Sequence, residues 1–337
     1  MTRDVAIVAL DGYADSTLAV LLDVIRAASS ISTLAGKPPP LRARIVSPSG
    51  AGVRSATGAT RSAPGSSSKT DATNLGVRSL RSVDRADIVV VPGIWLDDPR
   101  DLDRILARPD IASAAAALRR AHSAGTIVAA SCSSVFVLAR AKLGLRRATT
   151  TWWLANELRA RHPELEVSVE DALVVDDRIL TAGAVFAVAD LALYLVSRFG
   201  GPSLARETAR VLLLDRHTSQ ARYMARHHLR TNDTIVRRAE SWARTHLADG
   251  FDIAALARHA HTTPRTLARR LDAALGLSPI GFVQQLRLEH AINLLETSSL
   301  SMDEIAVRVG YEDANTLRRL IRRETRTTPR ELRKRIA

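Results

Sequence analysis

A single cysteine, Cys132, stands in 337 residues. That excludes a disulfide within the chain and any zinc site built on cysteines. Long apolar runs are also missing. No segment approaches the ~20 apolar residues expected of a membrane-spanning helix. The start of the chain has only about six apolar residues in succession, too few for the core of a signal peptide. The expectation is a cytoplasmic protein with no membrane partner, no metal and no cofactor. What is present is ordinary for a soluble globular protein: 46% hydrophobic and 25% charged residues, in a chain long enough for two or three domains.

The formal net charge of +13 is unevenly spread. Residues 1–200 carry 24 Lys/Arg against 20 Asp/Glu, residues 201–235 carry 6 against 3, and residues 236–337 carry 18 against 12. Positive charge therefore thickens toward the C-terminus, as a polyanionic partner would favour. Arginine is abundant everywhere, however, and serves equally as a solubilising surface residue, so charge alone decides little.

The first 200 residues alternate short β-rich runs with helical stretches. Strands are expected at 5–10, 42–47, 87–93 and 126–131, the third apolar at successive positions as a strand buried on both faces requires. Helical spacing covers 15–29, 102–122, 133–142 and 185–199. Two strands, 167–175 and 178–182, flank Asp176 and Asp177 as a hairpin. This order predicts a doubly wound, flavodoxin-like α/β domain over 1–200. Residues 49–79 are rich in Gly, Ser, Ala and Thr and read as a surface insertion. Residues 201–235 read as a helical connector. From there on the sequence is helical throughout, giving an all-α domain over 236–337.

Two helix-turn-helix units lie in that last part, at 252–272 and 301–324. In the first, Ile253, Leu256 and Ala257 line the inner face of a supporting helix. Thr263 is placed to cap the next helix, and Pro264 takes its first position, where a missing N–H costs nothing. That helix presents Arg265, Thr266, Arg269 and Arg270, with Leu267 and Leu271 inward. In the second, Ser301 and Glu304 have capping-box spacing, Ile305, Ala306 and Val309 face inward, and Gly310 supplies the turn. Asp313 caps a helix presenting Asn315, Thr316, Arg318, Arg319, Arg322 and Arg323. An isolated arginine would be a solvated helix face. Arginines recurring at corresponding places in two separately capped units instead fit the major groove, where Arg pairs with guanine and Asn with adenine. Arg322 and Arg323, further along, are placed for phosphates. Residues 279–295, with Phe282, Leu286, Ala291, Leu294 and Leu295 at core-like positions, read as a stiff spacer between the units.

Residues 236–335 resemble the AraC/XylS family of bacterial transcription regulators. The resemblance is carried by the paired units, the Gly276-Leu277-Ser278-Pro279 turn, Gln285 to Leu288, Glu304-Ile305-Ala306, Val309-Gly310-Tyr311, and Thr328-Pro329. His261 replaces the family's usual glycine, and Glu312 and Asp313 replace small residues. The resemblance implies operator or promoter DNA, RNA polymerase and a second copy of the chain as partners, in the bacterial nucleoid.

Cys132 follows strand 126–131 directly and precedes a helix. That is the layout of a nucleophile elbow, in which a helix N-terminus stabilises a thiolate. A small buried apolar cysteine fits the same sequence. Residues 1–228 resemble the PfpI-like domain of the class I glutamine amidotransferase superfamily, which is fused to AraC-type modules in GlxA-like regulators. Val91-Pro92-Gly93, Ala130 to Ser133, Ala148 to Trp152, and Ala182-Gly183-Ala184 carry it. Catalytic members place a histidine where this chain has Thr151 and an acid where it has Thr17, with Asp15 out of register. The resemblance therefore implies a degenerate domain that senses a small-molecule effector, dimerises, or does both, and that is not an enzyme. Its expected pocket comprises Gly12, Asp15, Gly93, Ile94, Trp95, Cys132, Ser133, Thr151 and Trp152, at the C-terminal ends of the strands. Two alternatives stay open on the residues: a Cys-dependent hydrolase or amidotransferase with a DNA-targeting tail, and a redox sensor reacting at Cys132.

Overall fold

The computed structural model describes residues 1–50, 52–62, 77–215, 220, 233–249, 252–325 and 327–333. The chain divides into two compact units, Met1–Gln220 and Ala221–Ala337.

In the first unit the described strands are β1 (Arg3–Val8), β2 (Leu41–Ser47), β3 (Gly52–Arg54), β4 (Thr60–Ser62), β5 (Arg78–Ser79), β6 (Ile88–Val91), β7 (Ile127–Ser131), β8 (Arg147–Ala148), β9 (Glu166–Val167), β10 (Leu173–Asp176) and β11 (Ile179–Ala182). Seven of them form one sheet in the order β10-β11-β7-β6-β1-β2-β5. Its pairs are parallel except the β10–β11 hairpin, in which Asp176 faces Ile179. The helices are α1 (Asp15–Leu34), α2 (Leu102–Leu106), α3 (Pro109–Ser123), α4 (Val135–Arg140), α5 (Ala155–Arg161), α6 (Ala187–Gly200) and α7 (Pro202–Val211).

Alternate side chains of each strand enter opposite cores, because successive residues of a strand point to opposite faces. Val5 and Ile7 of β1, with Ile88 and Val90 of β6, join α1, α6 and α7. Ala6 and Val8, with Val89 and Val91, join α2 to α5 on the other face. Helices thus cover both faces, and the doubly wound expectation holds. Against the expectation that no segment is, α1 is long and apolar enough, by length and composition, to cross a membrane. Here its apolar stripe (Leu18, Leu21, Ile25) is buried in the core shared with α6 and α7.

Several boundaries moved for local reasons. The helix expected over 102–122 is two helices, since Arg108, before Pro109, takes an extended ψ of 143°; proline disfavours the helical region in its predecessor. The helix expected at 133 begins with a tight 3-10 turn, Cys132–Ser134. Within 49–79, β3 and β4 form a hairpin that registers Val53 against Arg61. Residues 63–76 of that segment lie outside the described residues. The connector expected over 201–235 starts as α7, which packs on α1 and α6 as part of the first unit. Its residues 216–219 and 221–232 lie outside the described residues.

The second unit consists, among the described residues, of helices Thr234–Thr245, Ile253–His259, Pro264–Leu275, Pro279–Thr297, Met302–Arg308, Ala314–Thr325 and Pro329–Arg333. It has two small cores on one long helix. Phe282, Val283 and Leu286 of Pro279–Thr297 pack with Leu256, Ala257, Leu267 and Leu271. One turn later Leu288, Ala291, Ile292 and Leu295 pack with Ile305, Val309, Leu317 and Ile321. Glu289 of the same helix is buried and paired with Arg244 at 3.0 Å, and burial pushes its carboxyl up to about 7. The 19-residue helix therefore belongs to both halves at once.

Candidate nucleic-acid interface and elbow cavity

Helices of both helix-turn-helix units are fixed at their first turns by caps that the sequence encodes. Thr263 Oγ1 accepts from the Thr266 N–H at 3.2 Å, with Pro264 at the first position. Ser301 and Glu304 form the reciprocal capping box at 2.7 and 3.2 Å. The Asp313 carboxylate accepts from the N–H groups of Asn315 and Thr316, both at 2.9 Å. Both turns pass through the left-handed region, at His261 (φ 55°) and Gly310 (φ 84°). Histidine tolerates that region better than bulkier or branched residues, so the turn forms without the glycine usual there.

The caps set which side faces outward. Leu267, Leu271, Leu317 and Ile321 are buried, while Thr263, Arg265, Arg269, Arg270, Asn315, Arg319, Arg322 and Arg323 are exposed. Thr266, Thr316 and Arg318 are half-buried. Arg318 donates to Asn315 Oδ1 at 2.8 Å and Arg319 to Thr316 Oγ1 at 3.3 Å. Arg270 pairs with Asp233 and Arg323 with Glu324. Among the described residues, no hydrogen bond or ion pair engages the guanidinium groups of Arg265, Arg269 or Arg322.

In the first unit the chain turns sharply at the end of β7. Cys132 has φ 54°, a strained value for a residue with a Cβ, and its N–H donates to Gly183 O at 2.9 Å. A Cβ on Gly93 would lie 2.9 Å from Cys132 Cβ, so only glycine fits beside the elbow. Ser131 Oγ accepts from Gly93 N at 3.1 Å, and Ser133 Oγ accepts from Ile94 N at 3.1 Å. The thiol is buried, and burial pushes it up to about 11 against the weaker help of Ser133 and Thr151. Thr151 Oγ1 is buried without a well-aligned partner. Thr17, at the position of the missing acid, is buried and spends its hydroxyl on Ala14 O at 2.7 Å. Among the described residues, no imidazole or carboxylate is one of the groups acting on the thiol. Nucleophilic catalysis uses a base and an orienting acid beside the thiol.

The expected pocket residues separate. A cavity of about 580 Å³ opens at the C-terminal ends of β1 and β6, lined by Gly12, Ile94 and Trp95 together with Arg54, Arg104 and Arg108. Trp95 is half exposed and its indole N–H donates to Asp97 at 3.0 Å. Gly93, Cys132, Ser133 and Thr151 are buried and do not line the cavity. Asp15 accepts from the Thr57 hydroxyl at 3.0 Å. Trp152 meets Trp153 edge-on at 5.0 Å, away from the cavity lining. No local signal in the sequence marks the three arginines as cavity residues. Arg54 comes from a hairpin whose Gly- and Thr-rich sequence looks like a loop. Arg108 is aimed by contacts distant in sequence, donating to Asp11 O at 2.9 Å.

Comparison with known proteins agrees with both halves. The DJ-1/PfpI family profile matches residues 3–198, and a helix-turn-helix domain profile matches residues 256–335. The chain belongs to the DJ-1/PfpI family, and it carries an AraC-type helix-turn-helix region behind that domain. It is 38% identical over 93 residues to the HTH-type transcriptional activator RhaS of Escherichia coli (strain SE11), covering 28% of this chain and 34% of that protein. To RhaS of Salmonella arizonae it is 36% identical over 102 residues, covering 30% and 37%. The chain thus spans about a third of the length of these curated relatives. A solved protein from Vibrio parahaemolyticus, a candidate transcriptional regulator, is 18% identical with a TM-score of 0.50 over 63% of this chain and 100% of that one. That likeness concerns the fold alone.

Proposed function

We propose that this chain is a sequence-specific DNA-binding transcription regulator of AraC/XylS type, whose α/β unit senses a small molecule, pairs two copies, or does both, and is not an enzyme. The observation carrying this reading is the pair of capped, arginine-bearing helices, Pro264–Leu275 and Ala314–Thr325, mounted on one helix that is part of both cores. The partners are operator or promoter duplex, RNA polymerase and a second copy of the chain, in the cytoplasm at the bacterial nucleoid. The Arg54, Arg104, Arg108 and Trp95 cavity supports an effector site, since it is concave, lined by polar and charged side chains, and placed where open α/β sheets bind ligands. An effector acts by its difference in affinity for two arrangements of the chain.

Groove geometry separates the arginines by role. Arg265 and Arg319, in the N-terminal half of their helices, meet base edges, so alanine at either is expected to relax base preference by about 1–3 kcal/mol at one position. Arg323→Ala should instead weaken all duplexes alike and reduce the salt slope by about one. Titration of matched and scrambled operators at several salt concentrations distinguishes the two patterns. Unchanged preference in both Arg265→Ala and Arg319→Ala would remove these helices from the groove.

The buried thiol supports the non-enzymatic reading over the two cysteine-based ones. With Cys132 pushed up to about 11 from 9.0, the thiolate fraction at pH 8 is about a hundredfold below that of an ordinary thiol. Iodoacetamide labelling of the native protein should be slower by at least that factor than labelling of the unfolded chain, and should keep rising with pH beyond 9. An inflection below pH 8 would revive a catalytic or redox role.

A further inference from the structure

Gln220 is the last residue of the first unit, and its side chain is almost fully buried. Its carboxamide enters a socket walled by Thr149, Thr150, Val169, Asp171, Gly183 and Ala184. Nε2 donates to Val169 O at 2.8 Å and to Thr150 O at 3.0 Å, with Thr149 Oγ1 at 3.3 Å. Oε1 accepts from the Ala184 N–H at 3.2 Å. The Gln220 N–H itself donates to Glu170 O at 2.7 Å. Gly183 leaves the room: a Cβ there would sit 2.5 Å from Oε1. The carbonyl-rich wall also fixes which end of the amide is nitrogen.

We propose that this socket is a primary-carboxamide site filled in cis by Gln220, and that a free carboxamide ligand competes for it and displaces Gln220, the residue at which the first unit ends. The donor pattern selects the class. Two carbonyls on one side require an NH₂, and one N–H on the other requires an acceptor. A carboxylate turns lone pairs on the carbonyls. An ammonium or amidinium group leaves the Ala184 N–H unpaired. The socket also adjoins the elbow, because Gly183 O accepts from Cys132 N and Thr150 Oγ1 donates to Cys132 O at 2.8 Å.

The test uses the full chain, with propionamide as probe and propionate as control. Gln220→Ala empties the socket, whereas Gly183→Ala fills it from the opposite wall. Propionamide is expected to bind Gln220→Ala at least about tenfold more tightly than wild type, because the wild-type socket is mostly occupied. It should not bind Gly183→Ala, and propionate should bind none of the three. In wild type, millimolar propionamide should speed hydrogen exchange at the Gln220 N–H, which needs no variant to fold. Equal propionamide binding by wild type and Gln220→Ala, or exchange unmoved by the probe, overturns the proposal. The link to DNA rests on the regulator reading: both variants should shift operator affinity in the same direction. Propionamide binding with unmoved DNA affinity overturns the coupling and leaves the socket. Failure of every form to bind DNA counts against the regulator reading alone.

Discussion

Alanine in place of Gly310 should destabilise the second helix-turn-helix by about 3 kcal/mol and abolish operator binding with it. Two costs add. The residue stands at φ 84°, where a Cβ costs about 1–2 kcal/mol. That Cβ would also fall 2.1 Å from Leu247 O and 2.7 Å from Arg287 Nη2, so one of them must move. Neither moves freely. Arg287 Nε donates to that same carbonyl at 3.0 Å, and its guanidinium lies over the Tyr311 ring at 5.6 Å. Displacing it opens the turn between Met302–Arg308 and Ala314–Thr325. Gly36→Ala is the control, with φ 70° and open space around its Cβ, so only the backbone cost of about 1 kcal/mol remains. Urea unfolding followed by helical circular dichroism compares them. A Gly310→Ala protein as stable as Gly36→Ala would mean that the turn does not crowd Leu247.

Salt should weaken operator binding by about 500-fold between 50 and 200 mM. Arg265, Arg269, Arg270, Arg318, Arg319, Arg322 and Arg323 are on the outward side of the two helices. With Arg265 and Arg319 given to bases, about five remain for phosphates, for a slope near −4.5 in log affinity against log salt. Pairs such as Arg323 with Glu324 lie at the surface and contribute little, so they yield readily to phosphate. A slope shallower than about −2 in fluorescence-anisotropy titrations would mean that most of these side chains never reach the backbone.

The sequence announces what local chemistry decides. Contiguous apolar runs such as Ile88–Val91 and Ile127–Ser131 are strands because a parallel sheet buries both faces, and the caps at Thr263, Ser301 and Asp313 act within three residues of themselves. Features set at a distance are silent. The β3–β4 hairpin is built from Gly, Thr and Ser residues whose pairing no periodicity records, and it brings Arg54 to the cavity. The separation of Cys132 from that cavity depends on how closely Gly93 approaches it, which no motif states. Gln220 docks against residues 36 to 71 positions away, so nothing near it in the chain marks it as buried.

The helix Pro279–Thr297 has a consequence for any nucleic acid the protein recognises. Its first half is inseparable from one hydrophobic cluster and its second half from the other, so the pair of reading heads cannot slide or swivel to accommodate a poor target. Letters at a target can drift, each at a modest penalty. Inserting five base pairs between its two sub-sites would instead turn one of them to the far side of the duplex, since a turn takes about 10–10.5 base pairs. Sites recognised by such a chain are free to vary in wording but are held to one metre.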